Sequence, residues 1–219
     1  MSWDDVHAIL KKANNPKIAR PLISLKAPQL LDAVKEGLSQ KYLDLELATL
    51  AISEFKQRKS ARADTSTAKI KVWLKNIGHE PIPWLTKVRN NLLFLQFKIK
   101  PNPNYTNSLY VILRDGYAKK NGRYGLYVGQ TSKTPEERFS EHLAGIRSGR
   151  GIKKNGIQLL YSLMWPWQKV PGAHREFYEA ALHKALEINN TRGPIVSGDA
   201  KNQEEWPDDF QKELSKQLT

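Results

Sequence analysis

Apolar residues recur every three to four positions through the first part of the chain, a spacing that predicts amphipathic helices. The predicted helices cover residues 2–14, residues 28–38 and residues 40–59. Residues 60–68 (SARADTSTA) are small and polar, and they predict a loop. Residues 69–78 fit either a strand or a short helix, and we expect a helix. The first part of the chain is therefore predicted to be mainly helical.

A break in the pattern near residue 100 predicts a boundary between two domains. Residues 92–99 (LLFLQFKI) alternate in the way that is typical of a strand. The run Pro101-Asn102-Pro103-Asn104 then ends that strand. We therefore divide the chain into residues 1–100, a mainly helical basic region, and residues 101–219, which end in an acidic tail.

The second part of the chain mixes short strands with helices. Residues 109–113 and 124–128 predict two strands of a hairpin around a polar turn. A third strand is predicted over residues 157–166 and a further helix over residues 173–187. The predicted fold class is α+β, with a three-stranded, mostly antiparallel sheet flanked by helices.

A helix with a well-defined start follows the hairpin. Thr134-Pro135-Glu136-Glu137 is a capping box with proline at the first helical position. Arg138 and His142 are four residues apart and therefore share one face of this helix. The residues predicted to face the core are Phe139, Leu143 and Ile146.

Composition limits the class of protein. The 219 residues include no cysteine, which excludes disulfides and thiolate zinc sites. No apolar run approaches the ~20 residues that a membrane-spanning helix needs. Asp4 and Asp5 lie where a signal peptide would carry positive charge. We therefore expect a soluble cytoplasmic protein with no membrane partner.

The charge balance points to a polyanion as partner. The net charge is +13 and the pI is about 9.8, with most of the excess in the first hundred residues. One basic group in that half is predicted to contact DNA phosphates: Lys56, Arg58, Lys59, Arg62, Lys69 and Lys71. The glycine-rich segment 147–156 adds a second group, unless it is an ordinary surface loop: Arg147, Arg150, Lys153 and Lys154.

Several residues of the second half together suit phosphodiester hydrolysis. The reaction needs an activated water, neutralised phosphoryl oxygens and help for the leaving oxygen. Arg138 offers a permanent positive fork for phosphate oxygens, and Glu179 offers a hard oxygen ligand for Mg²⁺ or Mn²⁺. A tyrosine or His142 could position and deprotonate the water.

The order of these residues resembles the GIY-YIG nuclease family over roughly residues 107–195. Ser108-Leu109-Tyr110 and Tyr127-Val128-Gly129 stand at the two name-giving triplets, followed by the helix with arginine and histidine. The resemblance implies that Tyr110 is the base with His142 assisting, and that Tyr127 orients phosphate or water. It further implies Arg138 for phosphate, Glu179 for the metal, and Asn189 or Asn190 as a buttress.

Ordinary structural roles compete with each of these assignments. A strand tyrosine usually packs in the core or across strands, and Arg138 with His142 could be a surface pair. Glu179 could pair with Arg175 or His183 on its own helix, and Glu176 is a competing metal ligand. The ordered set favours the site, with Glu179 and Asn190 as the preferred choices.

The sequence thus predicts a Mg²⁺-dependent DNA endonuclease, similar to restriction or homing enzymes. Two alternatives stay open: a non-catalytic nucleic-acid-binding protein that keeps the fold, and a nuclease that acts on RNA. A homodimer would suit double-strand cleavage, since one site cuts one strand per encounter.

Overall fold

The computed structural model describes residues 2–11, 20–94, 104–116, 123–164, 168–172, 175–187 and 195–198. The chain divides into two compact units, Met1–Arg89 and Asn90–Thr219. The division falls before the boundary predicted at residue 100. None of the described helices is both long and apolar enough to span a membrane.

The first unit is helical. Its core is centred on α3, whose residues from Leu45 to Ile52 are all buried, and α3 packs against both α2 and α4. A fifth helix contains the division between the two units. The bounds are Trp3–Lys11 for α1, Ala27–Gly37 for α2, Leu45–Arg58 for α3, Ala61–Asn76 for α4 and Leu85–Phe94 for α5.

Two expectations for the first hundred residues are wrong. The segment 60–68, predicted as a loop, is the cap and first half of α4. Ser60 caps α4 by accepting a hydrogen bond from the Ala63 amide at 3.2 Å, and alanines then favour the helix. The strand predicted over residues 92–99 is helical at its start, because α5 continues to Phe94. Residues 95–100 lie outside the described part of the chain.

The second unit contains a sheet of four strands in the order β3-β1-β2-β4. β1 lies inside the sheet and is buried along its whole length, so its side chains supply core on both faces. β2 pairs with it antiparallel, and this register puts Tyr110 opposite Gly129. The bounds are Ser108–Arg114 for β1, Gly125–Thr131 for β2, Gly156–Leu159 for β3 and Val196–Ser197 for β4.

The sheet confirms the predicted hairpin strands and differs from the prediction at both edges. The third strand is shorter than expected, since a turn of helix, α8 (Tyr161–Met164), follows Leu159. The fourth strand, β4, was not predicted, and it runs parallel to β2. A strand of two residues carries almost no periodic signal, which explains why the pattern did not indicate it.

The helices α6 (Pro135–Ala144) and α9 (Arg175–Glu187) pack against the sheet, α8 packs against β1, and the short helix α7 (Ile152–Asn155) packs against α6. Thr134 caps α6 in the predicted capping box. The predicted core face of α6 is wrong, because Leu143 is 42% exposed and Ile146 is 55% exposed. His142 is the residue that this helix buries.

Candidate active site

A hydrogen bond between Tyr110 and His142 lies at the centre of the site. The Tyr110 Oη and His142 Nε2 atoms are 2.7 Å apart, and the two side chains are 1% and 0% exposed. Tyr110 comes from β1 and His142 from α6, so the pair joins the sheet to its flanking helix. The ring of Tyr127 packs against both, with its centroid 6.2 Å from that of Tyr110 and 5.6 Å from that of His142.

The main chain decides which nitrogen of His142 carries the proton. The backbone amide of Gly149 donates to His142 Nδ1 at 3.1 Å, so this nitrogen must be unprotonated. Burial lowers the pKa of His142 to about 4, assisted by the charge of Arg138, and the ring is therefore neutral at pH 7. The remaining proton lies on Nε2, and His142 donates it to the Tyr110 oxygen.

Tyr110 holds its own proton in this environment. Burial is the main cause that raises the pKa of Tyr110 far above its usual range, and the neighbouring Tyr127 raises it further. Arg138 acts in the opposite direction, through a hydrogen bond and its charge. Since His142 is the donor in their hydrogen bond, the hydroxyl proton of Tyr110 is available to a different acceptor.

Two glycines make room for the tyrosine rings. A Cβ atom on Gly129 would lie 2.4 Å from Tyr110 Oη, so the close cross-strand approach requires glycine at this position. A Cβ atom on Gly149 would lie 2.6 Å from the Tyr127 ring. The loop after α6 therefore rests directly on Tyr127 while its amide contacts His142.

Tyr110 and Tyr127 line a cavity of about 690 Å³, and His142 is buried behind its wall. The cavity brings together five residues that the sequence predicted: Tyr110, Tyr127, Arg138, Arg150 and Glu179. A second cavity of about 550 Å³ shares Gln130 and Arg138 with the first, so the two adjoin at these residues.

The Arg138 guanidinium already makes hydrogen bonds within the protein. Its Nη1 donates to Glu141 at 3.0 Å and to the Ile146 carbonyl at 3.3 Å, and its Nη2 donates to the Arg147 carbonyl at 2.8 Å. These bonds fix the loop that follows α6. Arg138 therefore anchors the site in addition to lining its cavity.

Glu179 is the carboxylate that α9 brings to the cavity. Its side chain is 5% exposed, and Glu179 lines the described part of the cavity whereas Glu176 does not. The described residues contain no cluster of three or more acidic, histidine or cysteine side chains that would enclose a metal. A single carboxylate fits Mg²⁺, which keeps several waters and needs few protein ligands. Asn189 and Asn190 lie outside the described residues.

Comparison with known families identifies this arrangement. Residues 107–187 match the GIY-YIG catalytic domain. The second unit therefore carries a domain of a nuclease family, as the sequence resemblance predicted, and the matched segment includes Tyr110, Tyr127, Arg138, His142 and Glu179. Nucleases of this family generally depend on a divalent metal ion. No curated protein and no solved structure matches the chain significantly.

The cavity also contains residues that the sequence did not predict, among them Arg114 and Gly149 in the matched domain and Ser197 beyond it. A signal for Arg114 was present, since alternation along β1 places Tyr110, Ile112 and Arg114 on one face of the sheet. Ser197 could not be found, because it lies on the strand that the pattern did not predict. Gly149 acts through its amide and its lack of a side chain, and neither property is specific in a sequence.

The predicted DNA-binding cations lie in both units, and most are exposed. In the first unit five of these cations are exposed: Lys56, Lys59, Arg62, Lys69 and Lys71. Arg58 differs, because it donates to Glu54 at 2.8 Å and to the carbonyls of Leu22 and Leu25 at 3.2 and 2.8 Å. In the GIY-YIG domain four cations are exposed on or beside the loop after α6: Arg147, Arg150, Lys153 and Lys154.

Proposed function

We propose that the protein is a divalent-metal-dependent endonuclease that hydrolyses DNA phosphodiester bonds, with a restriction or homing role. The observation that carries this proposal is the buried Tyr110–His142 pair, whose tyrosine lines the same cavity as Arg138 and Glu179. A hydroxyl oxygen, a fixed cation and a carboxylate around one space match the needs of water attack on a phosphodiester.

Tyr110 is the group proposed to position the attacking water and to accept its proton. A phenol performs the second task only as a phenolate, and burial opposes that form. Two neighbours favour it: His142 donates its Nε2 proton to the oxygen, and Arg138 contributes positive charge. Tyr110 must first release its hydroxyl proton to solvent. The phenolate then takes a proton from the water that adds to phosphorus, the bond to one ester oxygen breaks, and solvent protonates the leaving oxygen.

Glu179 is the residue proposed to hold a Mg²⁺ or Mn²⁺ ion. When bound, such an ion supplies Lewis-acid stabilisation of the charge that develops on the phosphoryl group. Arg138 and Tyr127 orient the phosphate from the sides of the cavity. In this proposal Asn190, which follows α9 in the sequence, buttresses the carboxylate.

The first unit is proposed to hold the DNA. Its exposed cations occupy the end of α3 and the free face of α4, where phosphate groups can approach without displacing core side chains. The small residues between them, Thr65 and Ala68, are exposed and place no bulky side chain on this face. A helix can lie in the major groove of a duplex, which favours double-stranded DNA as the partner of the 16-residue helix α4.

Plasmid and genomic DNA incubated with Mg²⁺ test the function directly. Discrete fragments support a restriction or homing enzyme, random degradation supports a general nuclease, and cleavage of RNA alone would refute the DNA proposal. No cleavage with Mg²⁺ or Mn²⁺ would favour a non-catalytic nucleic-acid-binding protein.

A matched pair of variants then tests the site. Glu179→Ala should lose on the order of 10³-fold in cleavage rate, equivalent to ~4 kcal/mol of barrier, while DNA binding persists. Glu176→Ala is the control, because it lies one turn earlier on α9 and outside the described cavity wall. Equal losses in both variants would contradict the assignment of Glu179.

A further inference from the structure

The packing of the sheet does not explain why a charged residue, Arg114, lies in the active site. It ends β1, shares the face of Tyr110, and is only 5% exposed. It lines the same cavity as Tyr110, Tyr127 and Glu179. Since burying a guanidinium is expensive unless it meets polar groups, its position in a polar cavity indicates an anionic ligand.

The orientation of the Arg114 guanidinium is fixed from two sides. Its Nη1 donates to Ser197 Oγ at 2.6 Å, and Ser197 Oγ in turn donates to the Leu126 carbonyl at 2.9 Å. The one hydroxyl proton of Ser197 is used in the bond to the Leu126 carbonyl, so Ser197 accepts the hydrogen bond from Arg114. On the other side, a Cβ atom on Gly151 would lie 2.7 Å from Arg114 Nη2.

Three arginines line the cavity: Arg150 is exposed, whereas Arg114 and Arg138 are held by the protein in different ways. Arg138 uses both terminal nitrogens to hold Glu141 and two carbonyls of the loop after α6. The Nη1 atom of Arg114 donates to a serine of β4, the strand on the other side of β2. A phosphoryl group under attack carries charge on more than one nonbridging oxygen, so a cation in addition to Arg138 would stabilise it further.

We infer that Arg114 is a catalytic residue that binds a nonbridging oxygen of the scissile phosphate, as a buried cation in addition to Arg138. This inference rests on the proposed nuclease function and adds to it the second phosphate contact. The competing explanation is that Arg114 only ties β1 to β4 through Ser197.

Cleavage of an oligonucleotide at a mapped site separates the two explanations. Arg114→Ala should lower kcat on the order of 10²-fold, while Ser197→Ala, which keeps the guanidinium, should lower it less than about 10-fold. Equal losses in the two variants would overturn the inference. Arg114→Lys keeps the positive charge but loses the paired N–H donors of the guanidinium. It replaces Arg114→Ala in the assay if the alanine variant does not fold.

A phosphorothioate substrate reports the contact itself. Sulfur in place of the contacted nonbridging oxygen should slow the wild type, and this slowing should shrink in Arg114→Ala because the contact is already lost. Unchanged slowing for both diastereomers would overturn the inference. A wild type that cuts no DNA would overturn it together with the proposed function, whereas a fully active Arg114→Ala would overturn it alone.

Discussion

Protonation of His142 should weaken the catalytic unit as the pH falls. Burial holds the pKa of His142 at about 4 in the folded protein, against 6.5 for an ordinary histidine. The unfolded chain therefore binds this proton at a higher pH than the folded chain does. The folded protein therefore loses stability through His142 as the pH falls below about 6.5, and this loss levels off below about pH 4.

The size of the effect follows from the difference between the two pKa values. Each pKa unit corresponds to about 1.4 kcal/mol, so the His142 contribution amounts to roughly 3 kcal/mol at the acid end. Burial is the main structural reason, and the charge of Arg138 adds to it. A proton on Nδ1 would also oppose the Gly149 amide, which already donates to that atom.

Hydrogen exchange of the β1 and β2 amides measures this effect within the catalytic unit. The free energy of opening should be compared between wild type and His142→Gln from pH 7.5 to pH 4. Glutamine keeps a donor and an acceptor and has no titrating group. Carboxylates contribute equally to both proteins, so the difference between the two curves isolates His142.

The expected difference changes by roughly 3 kcal/mol across this range, with the wild type losing more stability in acid. A difference that stays constant with pH would refute the reasoning. It would mean that His142 titrates in the folded protein as it does in the unfolded chain, so that neither burial nor the Gly149 bond opposes its protonation.

Three further changes test other parts of the molecule. Gly129→Ala forces a Cβ atom to within 2.4 Å of Tyr110 Oη, and cleavage assays should show a loss on the order of 10²-fold. Thr134→Ala should cost α6 about 1 kcal/mol in thermal unfolding, whereas Thr134→Ser should restore it. Replacing the exposed cations of the first unit should reduce the slope of log DNA affinity against log salt concentration by up to about 4.5. Arg58→Ala should instead lower stability and leave this slope unchanged. The replaced residues are Lys56, Lys59, Arg62, Lys69 and Lys71.

The sequence predicts best where a local signal has one structural meaning. The capping box at Thr134 has a single favoured geometry, and it placed the start of α6 at the correct residue. The alternating apolar runs around Tyr110 and Tyr127 likewise indicated the hairpin strands that the structure contains.

The sequence predicts poorly where long-range packing decides. His142 is polar and Ile146 is apolar, so the pattern assigned Ile146 to the core; tertiary structure buries the histidine because it hydrogen-bonds Tyr110 and Gly149. The small residues before Lys69 suggested a loop, yet a serine cap and packing against α3 make them helical. Burial and pairing depend on distant partners, and no window of sequence contains those partners.

The bond from the Gly149 amide to His142 has a consequence for how this protein can change over time. The donor belongs to the main chain, and every amino acid except proline retains that N–H group. A substitution at position 149 can push the loop away from Tyr127, but it rarely deletes the donor itself. The location of the imidazole proton is thus protected from most single mutations, whereas the tyrosine that receives the bond has no such protection.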